Sequence, residues 1–157
     1  MSWPHSLTDI ETPLVTAYAT ALATPAATFD PAPAVRTWRD QTNQAIYPAY
    51  LLHVTPADAE PENTETTGPL YRAYVEVASQ THADEQPPAS GSTPVAGDPT
   101  GAICRAMHAA ARAQIAGSIP TISGATLLDA RLQSPVDGTE GPVNHRSFTV
   151  LHILQLT

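Results

Sequence analysis

The last fourteen residues, NHRSFTVLHILQLT, constrain the fold most strongly, because they are apolar on both faces of a strand. Two sets of side chains alternate at strand period: Phe148, Val150, His152, Leu154 and Leu156 on one face, Leu151 and Ile153 on the other. Chain termini usually fray unless a sheet or a docked element holds them. A strand that is apolar on both faces must be covered on both, by its own fold or by another copy of the chain. Residues 144–157 are therefore predicted to form such a strand.

Residues 7–23 predict an amphipathic helix. Its apolar stripe at helical spacing consists of Leu7, Ile10, Leu14, Tyr18 and Leu22. Two starting points compete. Thr8 with Glu11 resembles a capping box, whereas Thr12 before Pro13 supplies an N-cap followed by proline at the first helical position. We favour the second start, because a proline farther inside a helix interrupts its hydrogen-bond ladder.

A second helix is predicted over residues 101–117, GAICRAMHAAARAQIAG, ending at Gly117 with Pro120 beyond it. Its predicted apolar stripe is Ile103, Met107, Ala110 and Ala113. The small residues in this stripe would let the helix lie close to a sheet. Cys104 is expected to fill space between this helix and the sheet.

Three further strands are predicted, at residues 46–54, 70–80 and 123–134. The second alternates cleanly, with Tyr71, Ala73, Val75 and Val77 on one face and Arg72, Tyr74 and Glu76 on a wetter one. The segments between the elements are predicted to be connectors, loops or turns: residues 24–34 after Pro25 closes the first helix, 55–69, 82–101 and 135–142. The order of elements predicts one α+β domain over residues 1–157. In it a mainly antiparallel sheet of about four strands carries both helices on one face.

Composition excludes several kinds of chemistry. All seven basic residues are arginines, so no lysine can form a Schiff base or a P-loop contact. Cys104 is the single cysteine, which excludes a disulfide within the chain. A net charge of −8 argues against a surface that binds nucleic acid, because affinity for the phosphate backbone comes from basic residues. No stretch approaches the length of a membrane span, and no signal peptide is apparent, so we expect a cytoplasmic protein.

No motif in the sequence names a reaction. His82, Asp84 and Glu85 are the densest group of metal-capable side chains, but they match no known metal motif, and a solvated acidic loop is the favoured interpretation. The sequence TISGA at 121–125 lacks the first glycine of GxSxG. His53, His145 and His152, on or beside predicted strands, have no partner at a fixed spacing. We therefore expect no catalytic residue, no cofactor and no metal, although a hydrolase with an unrecognised site is a weaker alternative.

Charge is unevenly distributed along the chain. Arg105, His108 and Arg112 are three and four residues apart, so they would share one helix face opposite the apolar stripe. Residues 55–100 hold eight acidic residues and one arginine, which is −7 of the total −8. The candidate acidic interface residues in this segment are Asp58, Glu60, Glu62, Asp84 and Glu85. A solvated helix face is the simpler interpretation; the alternative is that subunits pack head-to-tail into a ring.

Three stretches together resemble the tail-terminator and neck proteins of long-tailed bacteriophages. These are YPAYLLHV at 47–54, then LYRAYVEVASQ at 70–80 followed by a long loop and the helix AICRAMHAAARAQI, and finally two closing strands ending in HRSFTVLHILQL. The similarity lies in the order of elements and covers roughly residues 7–157. It implies a small non-enzymatic α+β subunit of a homo-oligomeric, hexameric ring that ends the tail tube.

The resemblance also implies a location and partners. The subunit would reside in the virion tail or neck after passing through the host cytoplasm, and would contact tail-tube and neck proteins. DNA would pass through the lumen without specific binding. Separately, the composition of residues 82–101, with four prolines, three glycines and almost no large apolar residue, predicts a loop that is mobile in the isolated protein and becomes ordered only on assembly. A small acidic binding or accessory module of unrelated origin is the alternative class. A ring near six times 16.6 kDa favours the first class, and a monomer favours the second.

Overall fold

The computed structural model describes residues 8–37, 47–56, 70–85, 95–133 and 135–156. Within these residues the chain forms two helices and six strands. In chain order they are α1 Thr8–Ala26, β1 Ala34–Thr37, β2 Ala49–Pro56, β3 Leu70–His82, α2 Ala102–Gly117, β4 Ala125–Leu132, β5 Val136–Glu140 and β6 Val143–Leu156.

The sheet has the order β1-β2-β3-β6-β4, with β5 also paired to β6. β1 runs parallel to β2 and all other pairs are antiparallel, so the sheet is mixed. Both helices pack on the same face and share one core with β2, β3 and β6. The predicted α+β class is confirmed. The predicted count of about four strands is too low, because β1 and β5 were not recognised as strands.

The terminal strand β6 lies between other strands along most of its length. Thirteen of its fourteen residues, Val143 to Gln155, pair with β3 on one side, and the strand pairs on the other side with β5 first and then β4. Phe148, Val150, His152 and Leu154 are buried under the helices, whereas Leu151 on the opposite face is half-buried. The two-faced pattern of the sequence therefore reflects a central strand, as its composition indicates.

Residues 135–142 form a strand and a tight turn where a turn alone was predicted. β5 pairs with β6 from Val136↔Ser147 to Glu140↔Val143, so Gly141 and Pro142 are the two loop residues of a hairpin. Gly141 has a φ of 59°, and Pro142 fixes a negative φ at the next position. This combination is that of a type II′ turn, whose twist suits paired strands.

Helix α1 begins earlier than predicted. It starts at Thr8, so the capping-box alternative gives the correct start, and the choice of Thr12 was wrong. Pro13 lies inside the helix, where it cannot donate a hydrogen bond. The burial of Ile10, Leu14, Tyr18 and Leu22 against the sheet stabilises the helix despite this loss. The predicted apolar stripe is confirmed for these four residues; Leu7 lies outside the described residues.

Helix α2 has the predicted bounds but a rotated buried face. Its buried residues are Cys104, Met107, His108, Ala111 and Ile115. Ile103, predicted to be in the core, is 42% exposed, and Ala113 is also exposed. Tyr50 on β2 donates its hydroxyl to the carbonyl oxygen of Met107 at 2.8 Å, a buried bond that helps to fix this orientation.

Candidate functional site

The predicted docking stripe on α2 does not form one solvated face. His108 is only 6% exposed and packs edge-on against Phe148, with ring centroids 5.6 Å apart. Arg112 is half-buried, whereas Arg105 is exposed and donates from Nη1 to the carbonyl oxygen of Thr100 at 3.0 Å. Their helical spacing predicted that the three residues would be exposed together. In the structure the helix is rotated, so that Arg105 is exposed, Arg112 is half-buried and His108 is buried.

His108 also contributes little positive charge. Burial lowers the pKa of His108 below its ordinary value, and the nearby charges of Arg146 and Arg112 lower it further. A histidine whose pKa is lowered in this way is largely neutral at pH 7. The positive charge of the helix face therefore comes from Arg105 and Arg112.

Two residues of the predicted acidic set, Asp84 and Glu85, lie at the end of the sheet where α2 begins. Asp84 and Glu85 are exposed and follow directly after β3. The N–H of Ala83 donates to the carbonyl oxygen of Pro142 at 2.7 Å, which places them beside the β5–β6 turn. The same end of the sheet carries the start of α2. Asp58, Glu60 and Glu62 lie outside the described residues, so the interface role of the acidic set stays a prediction.

Asp98 anchors the segment before α2, although in the sequence it is only one of the eight acidic residues within residues 55–100. Its side chain is 4% exposed. Oδ1 accepts the N–H of Ile103 at 3.1 Å, and Oδ2 accepts the N–H of Cys104 at 3.0 Å and the hydroxyl of Thr81 at 2.7 Å. Asp98 thus caps the helix from outside it. An acidic residue just before a helix start was the available signal.

Residues 95–101 are hydrogen-bonded to other parts of the same chain. The N–H of Asp98 donates to the carbonyl oxygen of His82, and the side-chain amide of Asn144 donates to the carbonyl oxygen of Asp98, both at 2.8 Å. The prediction that residues 82–101 become ordered only on assembly stays a prediction. Residues 86–94 lie outside the described residues.

The carboxylate of Asp98 is held in its charged form. Burial by itself would raise the pKa of Asp98, but the hydrogen bonds from Thr81, Cys104 and Ile103 and the charge of Arg105 keep its pKa below the usual range. A buried carboxylate that is fully hydrogen-bonded stabilises the groups that donate to it.

Replacing Asp98 with alanine is expected to destabilise the fold by about 1–3 kcal/mol, because buried donors are left without an acceptor. Urea unfolding of Asp98→Ala measures the loss. Asp129→Asn is the matched control, since this exposed carboxylate bonds Arg131 at 2.8 Å and should change stability by less than about 1 kcal/mol. Equal effects from both variants would contradict the anchoring role.

A cleft of about 350 Å³ lies between the start of α2 and the β5–β6 hairpin. Arg105, Asn144, Arg146 and Asp137 line it. Arg146 forms a two-point contact with Asp137, in which Nη2 donates to Oδ2 at 2.9 Å and Nε donates to Oδ1. Arg105 therefore lines the cleft beside Arg146 and Asp137, whose opposite charges balance each other.

The sheet face away from the helices, here called the open face, carries both apolar and charged side chains. Strand register places Tyr74 beside Leu151 and Arg72 beside Ile153, with Arg131 next to Leu151 on the outer strand. Tyr74, Leu151 and Ile153 are half-buried. This face combines an apolar centre with charged residues around it, which is the usual composition of a protein–protein interface.

The single cysteine, Cys104, is suited to packing rather than chemistry. It is 3% exposed, and its thiol donates to the carbonyl oxygen of Ser79 at 3.2 Å. Burial, with the charge of Asp98, raises the pKa of Cys104 to about 11, so the reactive thiolate is suppressed. The predicted space-filling role of Cys104 is confirmed.

The candidate histidines are not brought together. His152 shares a hydrogen bond with Tyr18 in the core, and His145 bonds the side chain of Gln80 at 3.1 Å through Nδ1. His53 lies on β2 opposite Glu76 of β3. Over the described parts of the chain, no three His, Cys, Asp or Glu side chains are grouped so that they could hold a metal ion. That includes His82, Asp84 and Glu85.

No protein-family model matches the sequence, and no curated protein matches it either. Neither described helix is long and apolar enough to cross a membrane.

Proposed function

We propose that the protein is a structural subunit of a bacteriophage virion, a tail terminator or head–tail joining protein that assembles into a hexameric ring and lets DNA pass. The observation that supports this proposal most is the open face. Two helices pack on one face of the sheet. On the other face, Tyr74, Leu151 and Ile153 are half-buried and could contact a neighbouring subunit. An apolar centre within a charged surround suits contact between identical subunits.

The charge of the subunit suits the same proposal. At −8 the protein would repel the DNA backbone, so that DNA could slide through a lumen without being held. Non-enzymatic function is part of the proposal, as are contacts with tail-tube and neck proteins and residence in the virion.

Sedimentation or native mass spectrometry of the purified chain tests the ring. A particle near six times 16.6 kDa supports it, and a ring seen by electron microscopy would add the symmetry. A monomer at every concentration would favour the alternative, a small acidic binding or accessory module.

Reversing the charge of Arg105 and Arg112 together is expected to weaken ring assembly without unfolding the subunit. Complementary charge speeds encounter and fixes register, so like charges at a subunit boundary should oppose it. Raising salt from 0.1 M to 1 M shortens the Debye length from about 10 Å to about 3 Å and should slow association of the wild type. Sedimentation of Arg105→Glu with Arg112→Glu across this range measures both effects.

Arg131→Glu is the comparison that tests the open face, because this exposed arginine lies on β4 beside Leu151 and pairs with Asp129. It reverses one charge away from α2. Its reversal should weaken assembly only if the open face is a subunit contact. Circular dichroism of each variant checks that the subunit is folded. If wild type and double variant form the same oligomer at every ionic strength, the α2 arginines are not part of a subunit contact.

A further inference from the structure

A small pocket at the end of the domain, here called the proline pocket, has walls from five separate stretches of the chain. Its apolar walls are Phe29, Pro31, Tyr47, Pro48, Val95 and Ile103. The cavity volume is about 110 Å³. A cavity of about 150 Å³ holds a benzene molecule, so this one suits a short aliphatic chain.

The proline pocket is acidic at both its rim and its floor. Asp30 lines it and is exposed, whereas Asp98 lines it and is buried, with both carboxylate oxygens occupied by the bonds that anchor α2. Asp84 and Glu85, both exposed, follow His82, another lining residue. Among the described residues that line the pocket there is no arginine.

Aromatic rings add to the attraction for a cation. Tyr47 and Phe29 both line the pocket, and the Tyr47 ring lies against His82 with centroids 5.5 Å apart. The face of an aromatic ring carries negative partial charge and attracts a nearby ammonium group. Apolar walls, aromatic rings and an acidic rim together fit a ligand with an aliphatic stem and a positive head.

We propose that the proline pocket binds the side chain of a lysine presented by a partner protein. The methylene stem packs against Pro31, Pro48 and Ile103, and the ammonium group lies at the rim by Asp30. A lysine head is compact, whereas the planar arginine head needs a wider site. Because this chain contains no lysine, the partner is a different protein. The inference does not depend on ring assembly.

Saturation-transfer NMR with n-butylammonium, a stand-in for the lysine side chain, tests the proposal on the full-length protein whether it is monomeric or assembled. We expect a dissociation constant of about 1–10 mM, as is usual for so few atoms. The neutral n-pentanol, similar in length, should bind about threefold to fivefold more weakly, because it lacks the charge. Equal binding of the two, or tighter binding of n-butylguanidinium, overturns the assignment to lysine.

Three variants place the binding at this pocket. Asp30→Asn keeps the shape of an exposed side chain and should weaken n-butylammonium about threefold to fivefold. Ala96→Phe puts a ring into the pocket that Ala96 lines and should abolish binding. Asp129→Asn removes one carboxylate on β4 and should change nothing. Unchanged binding in both Asp30→Asn and Ala96→Phe overturns the proposal, and thermal melts confirm that each variant is folded.

Discussion

Deleting Leu151–Thr157 is expected to leave no folded protein. The deletion removes the half of β6 that joins β3 to β4, including the pairs Ala73↔His152 and Ala130↔His152. It also removes Leu154, which is 1% exposed, and a buried leucine contributes about 1.5–3 kcal/mol by burial alone. Lost strand pairing and lost burial together rival the ~5–15 kcal/mol stability of a domain. Soluble yield and far-UV circular dichroism measure the outcome.

Two single substitutions separate the core face of β6 from the open face. Leu154→Ala creates a cavity in the core and is expected to cost about 2–5 kcal/mol. Leu151→Ala truncates the same residue type on the half-buried open face and should cost the subunit about 1 kcal/mol. Urea unfolding compares them. A soluble, cooperatively melting truncation, or a cost of only about 1 kcal/mol for both leucines, would show that the end of β6 is peripheral.

The strands with strong alternation were predictable from the sequence. Residues 70–80 and 144–157 correspond to β3 and β6, and their alternating faces match the observed burial. Long strands repeat their period often enough to fix which face lies inward. β1 and β5 are four and five residues long, and their pairing depends on neighbours that are distant in sequence, so the local pattern carried too little information.

The orientation of α2 shows where local pattern fails. Alanines surround the helix, so several rotations bury a similar apolar surface. Cys104 and His108 lie on the buried face, and Ile103 does not. The choice among rotations is made by contacts with β2 and β6, such as Tyr50 with Met107 and Phe148 with His108. None of these contacts is visible along α2 itself.

The candidate sites depend even more on tertiary structure. Asp98 could be recognised as acidic but not as buried, because its donors come from β3 and α2. The proline pocket brings together Phe29, Tyr47 and Ile103, which belong to separate segments. The topology of the sheet brings these distant residues together. No motif with a fixed spacing in the sequence could have predicted that they meet.

Acidification is expected to destabilise the subunit through His152. This imidazole is fully buried, and its Nε2 shares a hydrogen bond with the Tyr18 hydroxyl while Nδ1 has no partner. Burial lowers the pKa of His152 to about 4, against about 6.5 in the unfolded chain. Between these values the unfolded chain binds a proton that the folded chain does not. The free energy of unfolding therefore falls as pH drops from about 6.5 to about 4, by about 3 kcal/mol in total, and is unaffected above that window.

Urea unfolding between pH 7 and pH 5 measures this slope in a range where most carboxylates stay ionised. The double variant Tyr18→Phe with His152→Leu replaces both hydrogen-bonding partners by apolar groups, so stability at pH 7 should change little and the slope should decrease. His108→Gln is the comparison, because the pKa of His108 is lowered by burial and by Arg146 and Arg112, which gives a contribution of the same sign. If the double variant keeps the full slope of the wild type, His152 does not carry the acid sensitivity.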